Sequence, residues 1–288
     1  MENFSLEYII SLVRFSINEF ISNINIFYLG IISVIFSSIF FLFNLYNYNL
    51  KQYFTSNNIF KIHYPVFLIP LVIVVAVFYI IFAVFYTSKS STSLIKYIAK
   101  EDKSSEFVKI WDLGKDKWKE YFIFYIVYSL IIIFLSLIYI IFVTVIFSKL
   151  SLIFTILLLI LSFIILIPLS ILLAYIAVRL VVLDNVDIID SLKISLNSIY
   201  ANKLLYTKLI LGYLLFVTII FSVILSFIET IISSVVKVLF FKSFILGVIS
   251  IIIGILILTY LSSLISVINS IYWTKVYLQL KETKVISF

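Results

Sequence analysis

The side chains able to do chemistry are few and far apart. The single histidine, His63, sits in YFTSNNIFKIHYPVF, with no acidic cluster near it to complete a metal site. Cysteine is absent, which excludes disulfides, thiolate catalysis and cysteine-held metal or iron–sulfur centres. The five glycines, at 30, 114, 212, 247 and 254, are too scattered to form a phosphate loop. There is no serine elbow, HExxH or calcium loop. Three acids do fall close together, Asp184, Asp187 and Asp190 in RLVVLDNVDIIDSLKISLNSIYANK. A membrane-embedded lipid enzyme would need them to converge with basic groups at headgroup depth. Their spacing suits capping and solvating a helix instead, with Asp187 as N-cap and Asp190 in the first turn. No catalytic, cofactor-binding or metal set emerges, and the chain reads as a non-enzyme.

Six residues remain as functional or structural pivots. Pro168 lies deep in a long apolar run, where a proline bends a helix. Arg179 and Asp184 open the charged segment that follows. Lys208 stands near the start of the fifth apolar stretch and Glu229 just past its end, where snorkelling is the ordinary role. Asn269 belongs to a polar stripe with Ser262, Ser263, Ser266 and Ser270. Such a stripe either bonds neighbouring helices to one another or lines a path for a small or amphiphilic solute. Ion-coupled pumps keep ionisable groups at mid-membrane, and the apolar cores here carry none.

The elements that must position these residues are membrane helices. The chain is 64% hydrophobic and 12% charged, against about half and about a quarter in soluble domains. A helical span needs about 20 apolar residues. Six stretches qualify, at 26–46, 64–86, 121–147, 151–178, 205–228 and 243–274. They are too long and continuous for barrel strands, and lipid leaves a backbone no partner outside a helix. Sixteen Lys and Arg fall on the side of the termini and five on the other, which puts both termini in the cytoplasm. The basic balance is then explained by anionic headgroups, without nucleic acid. The start, MENFSLEYIISLVRFSINEF, carries three glutamates and does not read as a signal peptide.

Helical spacing predicts an amphipathic, interfacial helix before spans 1, 3 and 5. The first has Leu6, Ile9, Ile10, Val13, Ile17, Phe20, Ile21 and Ile24 on one face, with Glu7, Arg14, Asn18 and Glu19 on the other. The second sets Phe107, Ile110, Trp111, Gly114 and Trp118 against Lys109, Asp112, Lys115, Asp116 and Lys119. The third sets Ile188, Ile189, Leu192, Leu196 and Ile199 against Asp187, Asp190, Lys193 and Asn197. The segment 230–242 reads as a short outer interfacial helix, and Gly247 with Gly254 marks close helix contact. Trp118, Tyr121, Tyr272 and Trp273 fit an aromatic belt. The expected fold is thus an all-α integral membrane protein, one domain over 1–288. It is a bundle of six transmembrane helices with three cytoplasmic interfacial helices and both termini inside. The units 5–86, 104–178 and 187–274 form a possible three-fold pseudo-repeat.

The run IPLSILLAYIAVRLVVLDNVDIIDSLKISLNSIYANK resembles the central signature of a broad group of uncharacterised prokaryotic six-helix membrane proteins. The group includes YciC-like proteins and relatives of the glycerophosphodiester phosphodiesterase membrane domain. The matching residues are Pro168, Ala174, Ala177, Leu183, Asp184, Ser191, Leu192, Lys193, Ser195 and Asn202. LSSLISVINSIYWTKVYLQLKE is similar to the last helix of that group. Leu169 departs from the usual glycine, and Arg179 from the usual proline. The resemblance implies the six-helix fold and no catalysis, since the phosphodiesterase relatives carry theirs in a separate soluble domain. The function expected is that of an accessory or structural protein of the cytoplasmic membrane, acting on lipids or a partner complex. The alternative is a transporter or permeation pathway. The partners expected are membrane lipids, with a protein partner or a second copy of the chain possible.

Overall fold

The computed structural model describes residues 6–35, 68–100, 106–146, 152–213 and 220–286. The remainder of span 1, the 47–63 connection with His63, and the middle of the predicted span 5 lie outside them. Every regular element among the described residues is a helix. In chain order these are α1 Leu6–Ser22, α2 Ile24–Ile35, α3 Leu68–Ala99, α4 Phe107–Asp112 and α5 Trp118–Ile146. There follow α6 Leu152–Asp184, α7 Ile188–Ala201, α8 Lys203–Tyr213, α9 Ile220–Lys242 and α10 Phe244–Glu282.

Two helical stretches, Trp118–Val143 and Ile245–Glu282, are long and apolar enough to cross a membrane. A third qualifies if the bent pair Ile10–Ser22 and Ile24–Ile35 counts as one span. Only 11% of the α5 window is buried inside the protein. Leu130, Phe134 and Val145 are each more than 60% exposed. An apolar face of that extent is rare on a soluble monomer and suits lipid.

The C-terminal half of α10 is the hub of the bundle. Val267, Ile268, Ile271, Tyr272, Trp273, Val276, Tyr277 and Leu280 are all buried. One side of this half packs on α1, α6 and α8 through Leu12, Leu172 and Leu209. The other packs on α2, α3 and α4 through Leu29, Leu94 and Ile110. A separate core joins α5 to α6 through Phe124, Ala177 and Val181. The helix ends in a Schellman motif. Lys284 sits at φ 54°, its N–H donates to Lys281 O, and the N–H of Val285 donates to Leu280 O. The tail then hooks onto α7, where Ser198 Oγ donates to Val285 O at 3.1 Å.

All three predicted joint segments are helical, each with its own turn. Between α1 and α2 the axis bends by 97°. Asn23 makes this elbow: its Oδ1 accepts from the N–H of Asn25 at 3.1 Å and of Ile26 at 3.4 Å, an N-cap of α2. Its Nδ2 donates to the Tyr97 hydroxyl at 3.0 Å, tying the elbow to α3. Asn23→Ala is therefore expected to cost about 1–2 kcal/mol, the upper range for a cap because the tie to α3 goes with it. A thermal melt in detergent checks this.

The second joint keeps its predicted polarity, with Ile110 and Gly114 buried and Lys109 and Lys115 exposed. Its helix is only Phe107–Asp112, and a run of turns carries the chain into α5. There Lys96 Nζ donates to both Asp116 oxygens, at 2.7 and 2.8 Å. Burial pushes the Asp116 carboxyl up, but Lys96, the local backbone and Lys117 more than reverse this, and it sits below the ordinary carboxylate value.

Other expectations are corrected. In α7 the buried side is Ser191, Ser195, Ser198 and Ile199, while Ile189 and Leu196 point outward, 64% and 53% exposed. Serines allow α7 to press closely on its neighbours, which a row of leucines would prevent. In α1, Leu12, Ser16 and Phe20 go inside, while Ile10 and Ile21 stay exposed, as does Ile24 at the start of α2. The segment 230–242 is not a separate outer helix. It belongs to α9, which runs unbroken through Glu229 because 220–242 contains neither glycine nor proline. Gly254 meets α9 tightly: a Cβ there would lie 2.7 Å from Ile232 Cγ2. Arg179 is not in a connection but inside α6, which continues to Asp184.

Candidate functional site: a buried arginine among aromatic rings

α6 brings Tyr175 and Arg179 to one face, four residues apart. Arg179 is 2% exposed. Its Nη1 donates to Tyr175 O at 3.0 Å and its Nη2 to Ser270 O of α10 at 3.3 Å. The guanidinium carbon lies 5.5 Å from the Tyr175 ring centroid, a cation–π arrangement. Nε is buried without a hydrogen-bond partner. Among the described residues no carboxylate forms an ion pair with Arg179.

Asn269 completes the cluster. Its Nδ2 donates to the Tyr175 hydroxyl at 2.6 Å, and its Oδ1 accepts from the Tyr213 hydroxyl of α8 at 2.9 Å. Trp273 stacks on Tyr175 at 5.3 Å with an interplanar angle of 17°, and lies 5.1 Å from Tyr213. Three helices are thus fastened by one amide, one guanidinium and three rings. A bonded amide inside a helical bundle contributes about 0.6–2 kcal/mol.

The pivots therefore divide. Arg179 and Asn269 meet through Tyr175. Asp184 is near the end of the same helix but serves α10, accepting from the Tyr277 hydroxyl and from Lys281 Nζ. Pro168 lies two turns before Tyr175 and faces a separate groove. Lys208 is on the exposed side of α8, and Glu229 is half-buried within α9; neither joins the cluster. Asp184, Asp187 and Asp190 do not converge. Asp187 holds the N-cap position of α7 without a side-chain cap bond, and Asp190 pairs with Lys193 at 3.2 Å. The span 6 stripe bonds to neighbouring helices, with Ser266 Oγ 3.0 Å from Ser33 Oγ of α2.

Sequence reasoning missed Tyr175 and Tyr213, and its aromatic belt is corrected at Tyr272 and Trp273, which are buried inside the bundle. The signal available was the four-residue step from Tyr175 to Arg179 and a lone tyrosine inside LILGYLLF. No group of three or more His, Asp or Glu able to hold a metal occurs among the described residues. Nothing in the cluster pairs a nucleophile with a base. What it offers is a fixed positive charge cushioned by carbonyl oxygens and ring faces. No protein-family model, no curated protein and no solved structure matches the chain.

Proposed function

We propose that this chain is a multi-pass protein of the cytoplasmic membrane, six helices with both termini inside, acting without catalysis as an accessory or structural protein toward lipids. The observation that supports this most is where the polar groups point. Arg179, Asn269, Tyr175, Tyr213, Ser33 and Ser266 bond inward to one another or to backbone, which suits a bundle closed to solutes. The outer face of α5 is apolar instead, which suits lipid as the contacting phase. The lysine asymmetry supports the orientation, and the resemblance to the YciC-like group supports the six-helix count.

Two measurements test this reading. The chain lacks cysteine, so single-cysteine variants report sidedness cleanly. Lys242→Cys is expected to react with a membrane-impermeant maleimide on intact cells, and Lys115→Cys only after the membrane is opened. The reverse pattern would overturn the orientation. Purified protein in sealed liposomes is expected to move no ion, sugar or amino acid above the protein-free rate. Protein-dependent flux would replace the accessory reading with transport.

A further inference from the structure

We propose that the groove between α6, α7 and α8 holds one acyl chain of an anionic phospholipid, with the lipid phosphate at Lys203. This rests on the lipid-directed reading above and names the lipid class. The groove has a volume of about 600 Å³, within the range of about 300–1,000 Å³ usual for ligand sites. Its walls are Pro168, Leu169 and Leu172 from α6, Leu196 from α7, and Ile210 and Leu211 from α8. Proline at 168 has no N–H for the preceding turn, and α7 gives way to α8 at Asn202, next to the lining residue Lys203.

The polarity of the groove is what selects the occupant. Lys203 opens α8 at one end. Leu211, eight residues on, lies about 12 Å further along the helix axis. Half a bilayer's hydrocarbon is about 15 Å deep, so the groove matches most of one chain lying parallel to α8. Its rim is apolar as well: Leu196 and Leu211 are more than half exposed. Lys203 Nζ lies 4.1 Å from the Tyr200 ring centroid, and both residues line the groove. Among the described residues it forms no ion pair, whereas Lys96, Lys193 and Lys281 each have an aspartate. An unneutralised cation at the shallow end of an apolar slot complements an anionic headgroup carrying an acyl chain. A zwitterionic headgroup brings its own cation and gains less.

The test uses the full chain in detergent, read by native mass spectrometry. Dioleoyl phosphatidylglycerol and dioleoyl phosphatidylcholine differ in headgroup charge but not in chains. Phosphatidylglycerol is expected to be retained about five-fold better, the worth of one lysine at a membrane surface. Lys203→Gln is expected to erase that preference, and Lys208→Gln, on the other side of α8, to keep it. Leu196→Trp, at an exposed wall position, is expected to reduce retention of both lipids. Equal retention of the two lipids by the wild type would overturn the proposal. So would equal losses in the two lysine variants, or displacement of the lipid by inorganic phosphate. A chain that neither discriminates lipids nor moves solutes loses this site alone, and the accessory reading stands.

Discussion

Gly114→Ala is expected to lower stability by about 3 kcal/mol, the upper end of the usual cost of overpacking. Gly114 follows α4 and lies buried against α3. A Cβ there would come 2.5 Å from Lys89 O and 3.0 Å from Ser93 N, both backbone atoms of α3. It would also strike Ser93 Oγ, which donates to Trp111 O at 3.0 Å and holds the joint in place. Backbone atoms of a long helix do not move aside cheaply, so the whole joint must lift. The glycines of the chain provide internal controls. At Gly30 the obstacle is Val267 Cγ2 at 2.6 Å, with Ser263 O at 3.3 Å, and β-branched valine turns with difficulty. At Gly254 the close atom among the described residues is Ile232 Cγ2 at 2.7 Å, on a side chain as stiffly β-branched as valine but with no backbone atom beside it. Alanine also gains about 1 kcal/mol over glycine inside a helix. Gly30→Ala and Gly254→Ala should thus both cost less than Gly114→Ala, and Gly254→Ala the least, since no backbone atom lies close to its Cβ. Melting temperatures in detergent check the order, at about 2–4 °C per kcal/mol for a protein of roughly this size. Equal losses at 114 and 254 would show that the joint is not packed tightly on α3.

The positions of the joints were legible in the residues, and their facing was not. A period of 3.6 in the apolar residues located α1, α4 and α7, because that period is imposed by the helix itself. It does not say which phase covers the apolar side. In a soluble protein water settles the matter, and leucine goes in while serine stays out. Beside lipid both media are apolar, so packing decides. In α7, Ser191, Ser195 and Ser198 turned inward, where small side chains allow close packing, and Ile189 and Leu196 outward. Breakers explain the boundary errors. Arg179 suggested the end of α6 by its charge, yet no residue stops that helix before Asn185, which takes φ 57° and ends it. Charge marks where a span leaves the hydrocarbon; only backbone chemistry marks where a helix ends. The aromatic cluster was half visible, since Asn269 and Arg179 are conspicuous in an apolar run and their tyrosine partners are not.

Arg179→Met is expected to leave the bundle folded and to raise its stability by about 1–4 kcal/mol. Arginine keeps its proton in proteins, so the charge is buried as a charge. Removing such an ion from water costs several kcal/mol even after relaxation. Against this stand two carbonyl contacts and one ring. The Tyr175 carbonyl lies one turn back in the same helix, and the contact to Ser270 O at 3.3 Å is long for a hydrogen bond. The Tyr175 face contributes about 0.5–2 kcal/mol. Nε is left unbonded, a further cost of about 1–3 kcal/mol. The sum favours removal of the charge. Methionine refills most of the volume, and its sulfur gains about 0.3–1.5 kcal/mol beside the ring of Tyr175. Arg179→Ala removes the same charge but leaves a cavity, so it should fall well below the methionine variant. The comparison separates charge from packing, and melting curves of the three proteins in one detergent suffice. If both variants melt several degrees below the wild type, the guanidinium has a counter-ion in the folded protein. The aromatic cluster would then be a binding site for an anion. If methionine stabilises as expected, the chain keeps a costly charge at the junction of α6, α8 and α10 for something other than stability.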